Sequence, residues 1–143
     1  MFIGEYAHTI DQKGRMAVPS KLRKAIGSGA VVTRGIDNCL WLFPKAEWQT
    51  LAAKLANLPL SDANSRAFSR LMLAGAMEVE FDSQGRALIP VYLRKYAGLS
   101  KEVVIAGLFN RLEIWNQKDW EGYKEKTEKE SDQIAKNMAN LGI

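Results

Sequence analysis

Asp11-Gln12-Lys13-Gly14-Arg15-Met16-Ala17-Val18-Pro19 is written a second time, 71 residues further on, as Asp82-Ser83-Gln84-Gly85-Arg86-Ala87-Leu88-Ile89-Pro90. The echo extends outward: Leu22-Arg23-Lys24 is answered by Leu93-Arg94-Lys95. With one inserted residue, Val31-Val32, Gly35, Leu40, Leu42 and Trp48 match Val103-Val104, Gly107, Leu112, Ile114 and Trp120. Self-similarity over roughly forty residues per copy means one supersecondary unit used twice, each copy able to bury its apolar face on the other. The chain divides into a first repeat at 1–58, a helical linker at 59–75, and a second repeat with a C-terminal helix at 76–143.

The repeated stretch carries turn chemistry. Asp at the first position of Asp11-Gln12-Lys13-Gly14 can bond the backbone ahead of it, and Gly at the fourth tolerates positive φ. This pattern predicts a type I turn closed by a glycine bulge. Phe2 to Ile10 alternates bulky and polar residues as a strand does, Arg15 to Val18 forms the return strand, and Pro19 stops it. A short helix follows from Ser20 to Ile26, ended by Gly27. Ala30–Arg34 and Cys39–Phe43 read as a second hairpin joined through Gly35-Ile36-Asp37-Asn38. Pro44 opens a helix that carries Trp48, Leu51, Leu55 and Leu58 at helical spacing, and another helix runs from a Ser61 cap to Leu73. The second copy repeats the order. Its strands are Ala76–Phe81 and Arg86–Ile89, then a short helix to Ala97, then strands at Val103–Leu108 and Leu112–Trp115. Asn116 caps the last helix, with Asp119 three residues on. Beyond Lys124 the chain becomes a solvated or fraying charged end. The pattern predicts a β-rich α+β fold.

Composition narrows the class. With 143 residues and 47% hydrophobic content, the chain is expected to be one compact unit with a real core. No apolar run approaches the roughly 18 residues needed to span a bilayer. Met1-Phe2-Ile3-Gly4-Glu5 lacks the charged start and long apolar stretch of a signal peptide. Cys39 is the single cysteine, which excludes a disulfide framework and fits a reducing compartment. The expectation is a soluble, cytoplasmic protein. The net charge of +4 is unevenly placed: residues 1–58 hold eight Lys/Arg against four Asp/Glu, which favours a polyanionic partner.

Catalytic chemistry finds little material. His8 and Cys39 are the only residues of their types, and neither a metal cluster nor a Cys/His dyad can be assembled around them. There is no Gly-x-Ser-x-Gly elbow and no phosphate-binding Gly-Lys-Ser/Thr loop. Gly27-Ser28-Gly29 begins like a dinucleotide loop, but Val32 stands at the third glycine's place. His8 reads as a strand or interface residue and Cys39 as a small buried apolar one. The expectation is a protein that is not an enzyme, with no cofactor, no metal, no small-molecule substrate and no membrane partner.

Asp11, Gly14, Asp82 and Gly85 are explained by the turns alone, but a return strand does not require arginine. Arg15 and Arg86 nevertheless both follow the glycine, the first beside Lys13. They either pair with Asp11 and Asp82 or recognise phosphate or a guanine edge, and both can hold if the carboxylate orients the guanidinium. Lys21, Arg23 and Lys24 on the first short helix, and Arg94 and Lys95 on the second, are either solvated or phosphate contacts. Trp48 and Trp120, at matched positions on amphipathic helices, read as core anchors.

At these residues the chain resembles the MraZ family of bacterial transcriptional regulators, related to the AbrB-like swapped-hairpin DNA-binding proteins. The resemblance spans Met1-Phe2-Ile3-Gly4-Glu5-Tyr6, His8, Asp11-x-Lys13-Gly14-Arg15, Pro19-x-x-Leu22-Arg23, Phe68-Ser69-Arg70 and Ala76. It continues through Asp82-x-Gln84-Gly85-Arg86-x-Leu88-Ile89-Pro90, Gly107 and Glu113-Ile114-Trp115. It implies a tandem duplicated, swapped-hairpin, double-split β-barrel with short helices and flanking amphipathic helices. It also implies a ring-shaped homo-oligomer and nucleoid-associated binding of double-stranded DNA. The target would be G-rich tandem repeats in the regulator's own promoter region, at the division and cell-wall gene cluster. Asp11, Arg15, Asp82 and Arg86 fill the paired motif positions; Lys13, Lys21 and Arg23 are further candidate DNA contacts by their charge and their place beside the first turn. The first hairpin is favoured, since Gln84 replaces Lys13 in the second. A different role for the same barrel is an antitoxin-like module that holds a partner protein.

Overall fold

The computed structural model describes residues 1–143. Eight strands and six helices alternate along the chain. The first repeat contributes β1 (Phe2–Thr9), β2 (Arg15–Ala17), α1 (Ser20–Ile26), β3 (Ala30–Arg34), β4 (Leu40–Pro44) and α2 (Lys45–Ala56). A connecting α3 (Ala63–Ser69) passes into a π-helical turn, Arg70–Ala74. The second repeat contributes β5 (Met77–Val79), β6 (Arg86–Leu88), α4 (Val91–Tyr96), β7 (Glu102–Phe109), β8 (Leu112–Asn116), α5 (Gln117–Lys129) and α6 (Ser131–Asn137). The fold is α+β and β-rich.

The pairing is exchanged between copies. β1 does not lie along β2; it runs antiparallel to β7 over eight residues, from Phe2 opposite Phe109 to Thr9 opposite Glu102. β5 likewise pairs with β3 of the first copy. The two return strands, β2 and β6, form a ribbon of their own. The simple hairpin expected at Phe2–Val18 is therefore corrected. Its turn is present, but strand and return strand touch only at the single bridge Ile10–Met16, matched by Phe81–Ala87 in the other copy. The rest form one six-stranded sheet in the order β1-β7-β8-β4-β3-β5. The barrel implied by the resemblance is thus not continuous: an open sheet and a separate ribbon meet through those two bridges.

A pseudo-two-fold axis organises the whole. In the ribbon Met16 faces Ala87, with Arg15 opposite Leu88 and Ala17 opposite Arg86. In the sheet Trp41 faces Glu113, with Leu40 opposite Ile114 and Leu42 opposite Leu112. Each pair maps onto its mirror under the sequence repeat. The core fills the space between ribbon, short helices and the inner sheet face. Met16, Ala87, Ile89, Leu93, Val32, Leu40, Leu42, Val103, Ile105 and Ile114 are all fully buried there.

The second hairpin is where the sequence predicts it. β3 and β4 pair along their length, and Asp37 and Asn38 take φ of 70° and 59°, the left-handed region that short Asx side chains tolerate. Several boundaries differ. Asp62, not Ser61, caps α3, because its carboxylate reaches the Ser65 N–H at 2.8 Å. The strand expected at Ala76–Phe81 shrinks to Met77–Val79: the Ala76 N–H is still tied back to the Leu73 carbonyl at 3.3 Å, and Phe81 has left β3 to bridge Ala87 of the ribbon. Asn116 caps α5 as expected, accepting from the Lys118 and Asp119 N–H groups at 2.9 and 3.2 Å. The charged end after Lys124 stays helical to Lys129. It is built of strong helix formers, and Lys129 pairs with Glu125 one turn back at 3.1 Å.

Trp48 and Trp120 are corrected as well. Neither is in the core; both are half-buried. α2 and α5 lie on the outer face of the sheet, so each tryptophan only leans on one strand aromatic: Trp48 on Phe43 at 5.9 Å and Trp120 on Trp115 at 5.4 Å between ring centroids. Trp120 also donates its Nε1–H to Glu5 at 3.2 Å, beside Lys124 at 2.8 Å, which ties the last helix to the first strand. Cys39 is fully buried as expected, its Sγ donating to the Ile36 carbonyl at 3.2 Å. Burial above all pushes the thiol up to about 12.

Met16→Ala, at the ribbon centre, is expected to destabilise by about 2–5 kcal/mol. Trp48→Ala should cost less despite the larger side chain, because Trp48 is only partly buried. Urea unfolding midpoints of the two variants order these effects; the reverse order would place the core on the outer helix.

Candidate nucleic-acid interface

Each turn closes on its aspartate in the same way. Asp11 Oδ1 accepts from the Lys13 and Arg15 N–H groups, both at 2.9 Å, and Oδ2 accepts from Arg15 Nε at 2.8 Å. Asp82 Oδ1 accepts from the Gln84 and Arg86 N–H groups, and Oδ2 from Arg86 Nε, all at 2.9 Å. Gly14 and Gly85 donate back to the Asp11 and Asp82 carbonyls at 2.9 Å, with φ of 88° and 74°. The predicted turn with its glycine bulge is thus present twice. Of the two readings left open for the arginines, the ion pair is formed. It does not consume the side chain: only Nε is engaged, and Arg15 and Arg86 remain 36% and 28% exposed. The carboxylate fixes the guanidinium in direction while its terminal nitrogens keep their donors.

The ribbon sets where these groups point. Met16 and Ala87 are fully buried, so strand alternation turns Arg15, Ala17, Arg86 and Leu88 to the opposite face. By the register Arg15 and Arg86 are diagonal neighbours, roughly 8 Å apart at Cα from ordinary strand spacings. Two clasped arginines therefore share one outward surface about the pseudo-two-fold axis.

The short helices lock each turn from the other copy. Arg23 on α1 donates Nε to the Val18 carbonyl at 2.9 Å, and its guanidinium lies against Gly85, where an added Cβ would stand 2.4 Å from Arg23 Cζ. Arg94 on α4 repeats this with the Ile89 carbonyl at 2.9 Å and Gly14. The exchange extends to backbone: Ile89 N–H donates to Gly14 O at 2.8 Å, and Val18 N–H to Gly85 O at 3.1 Å. Of the residues singled out from sequence, Asp11, Arg15, Asp82 and Arg86 come together at the ribbon. Lys13 stands exposed on the first turn and Lys21 exposed on α1. Arg23 is half-buried under the second turn. Sequence reasoning leaves Arg94 open as a solvated residue or a phosphate contact; aligning Pro90-x-x-Leu93-Arg94 with Pro19-x-x-Leu22-Arg23 gives it the same place against the opposite turn. Arg94 and Lys101 also border a cleft of about 480 Å³ beside Asp11 and Gln12. His8 lies half-buried on β1 opposite Val103, apart from the ribbon.

Both aspartates sit below their ordinary value of 3.8. The largest cause at Asp11 is the Arg15 backbone N–H, opposed by desolvation and reinforced by the Arg15 guanidinium and the Lys13 N–H. At Asp82 the Arg86 backbone N–H leads in the same way.

Fold and site together define a class: a tandem swapped-hairpin protein that displays two carboxylate-clasped arginines on an exposed ribbon. A family model described as "MraZ protein, putative antitoxin-like" matches the chain twice, over residues 1–71 and 72–141. Relatives named Transcriptional regulator MraZ match over 143 residues, all of both chains. They include those of Halothermothrix orenii at 50% identity, Acetivibrio thermocellus at 49% and Natranaerobius thermophilus at 47%. The chain belongs to the MraZ family.

Gly14→Val should damage the fold doubly. It puts a β-branched residue at positive φ, costing on the order of 1–3 kcal/mol, and its Cβ would stand 2.8 Å from both the Ile89 carbonyl oxygen and Arg94 Nε. A thermal melt unchanged from the parent would contradict the exchanged packing. A pH series tests the clasps. Because folding lowers both aspartate pKa values, their stabilisation is complete above the unfolded value of 3.8 and is lost as pH falls through the lower folded values. Carboxyl-carbon NMR titrations should give midpoints below 3.8 for Asp11 and Asp82; midpoints at or above it would mean open clasps.

Proposed function

We propose that this protein is a sequence-specific DNA-binding transcriptional regulator of repressor type that grips duplex DNA through its Arg15/Arg86 ribbon. The observation that carries the reading is geometric: two guanidinium groups on one exposed ribbon face, each aimed by its own aspartate. A B-DNA major groove admits a two-stranded ribbon, and an arginine bidentate to guanine is the commonest specific contact there. Lys13 and Lys21 supply phosphate contacts that position without specifying, and Arg23 braces the second turn. The first turn leads, because it carries Lys13 where the second has Gln84 and because Lys101 borders the cleft beside Asp11; Arg94 and Arg23 serve the two turns alike.

Membership of the MraZ family supports the remaining particulars. The target is a set of G-rich direct repeats upstream of the division and cell-wall gene cluster, including the protein's own promoter. The protein acts there as a homo-oligomeric ring, in the cytoplasm at the nucleoid, without catalysis. No helix is long and apolar enough to cross a membrane. The family description also names an antitoxin-like role, in which the same fold holds a partner protein.

A gel-shift titration with the protein's own upstream DNA tests the proposal. Binding should weaken steeply with salt, with a log–log slope near −3 for about three phosphate contacts per subunit and steeper in an oligomer. Arg15→Ala should cost about 1–3 kcal/mol at each engaged guanine and more than Arg86→Ala, with the fold retained. Affinity that stays flat with salt would favour the partner-protein role, and unfolding by Arg15→Ala would show the clasp to be purely structural.

A further inference from the structure

The ribbon face that carries the arginines carries one residue that charge does not explain. Leu88 is 56% exposed, on a strand only three residues long, and points away from the core by the same alternation that buries Ala87. It stands directly opposite Arg15. At the mirror position, opposite Arg86, the residue is Ala17. The outward face therefore reads Arg-Leu on one side of the axis and Arg-Ala on the other. What sets Leu88 apart from other exposed apolar residues is its place: the register holds it beside a fixed guanidinium on the ribbon's outward face.

The chemistry of the major groove supplies an occupant. Its base edges offer two kinds of feature to such a pair: the guanine acceptors, which suit arginine, and the thymine C5-methyl, which suits an apolar side chain. Directly paired residues of an antiparallel ribbon lie roughly 4.5–5.5 Å apart at Cα, so Leu88 reaches within one or two base pairs of whatever Arg15 contacts. We infer that Leu88 is a specificity residue that reads the C5-methyl of a thymine next to the guanine bound by Arg15. The inference rests on the DNA-binding reading above and adds to it a second base and an asymmetry. The half of the ribbon with Arg86 and Ala17 lacks the longer side chain and discriminates that methyl less.

The test removes the methyl from the DNA and the side chain from the protein separately. The protein's own upstream duplex is prepared with thymine and with deoxyuridine in its place. The parent protein and Leu88→Ala are titrated against both. The parent should bind the uracil duplex about fourfold more weakly, the worth of burying one methyl-sized group. Leu88→Ala should bind both duplexes equally, at the level of the parent on uracil. Its melting temperature and assembly mass should match the parent's, since the replaced side chain is exposed. Equal binding of both duplexes by the parent overturns the inference. So does a Leu88→Ala loss of the same size on both, and an altered assembly mass accompanying that loss would mark Leu88 as a contact between copies. Failure of the parent to bind either duplex would instead sink the DNA-binding reading itself.

Discussion

The structure depends on two backbone hydrogen bonds that cross between repeats: Ile89 N–H to Gly14 O and Val18 N–H to Gly85 O. They join the end of each return strand to the turn of the other copy. The candidate interface is placed by them. With the ribbon docked in this register, Met16 and Ala87 fall inward and the clasped arginines outward. Arg23 and Arg94 close over the partner glycines, which must lack a Cβ for that approach. Gly14 is thus required twice, for positive φ and for its contact with the Ile89 carbonyl, and the second demand is invisible in a turn considered alone.

How far the sequence is legible follows from the range of each interaction. Asp11-x-x-Gly14 and Asp82-x-x-Gly85 encode their turns locally, through an aspartate and a glycine three residues apart, and those turns are found as expected. The span of α1 is also found at Ser20–Ile26, because proline before it and glycine after it are local signals. Strand exchange is not local. Alternating residues in Phe2–Ile10 suit pairing with Arg15–Val18 or with Glu102–Phe109 equally well, so residue patterns alone lead to a simple hairpin. Only the family resemblance pointed to the exchange.

The tryptophans show a different limit. Helical spacing of Trp48, Leu51, Leu55 and Leu58 identifies a face, and α2 does turn that face to the sheet. Periodicity says nothing of depth, and of the four only Leu55 is buried. At the site the four motif residues were legible because the repeat wrote them twice. Arg23 was legible as a basic residue but not as a brace: its role depends on Gly85, 62 positions away. Leu88 was legible only as part of the repeated motif, since its significance lies in what the register sets opposite it.

Fusing two copies into one chain also removes a constraint that a dimer of identical halves would face. On a true two-fold axis each residue meets itself. Here Met16 meets Ala87 in the ribbon and Trp41 meets Glu113 in the sheet. Two methionines at the first position would overfill a fully buried layer, and two alanines would leave a void, each destabilising. Two glutamates at the second would oppose buried like charges. The single Glu113 instead accepts from Trp115 Nε1 at 3.0 Å and Arg111 Nη2 at 3.3 Å. The two halves have therefore become complementary at the axis, and neither could pair with its own duplicate without repacking. Once the axis no longer enforces identity, the solvent face is free to diverge as well. Lys13 against Gln84 and Leu88 against Ala17 are that divergence, laid on a backbone that is still symmetric.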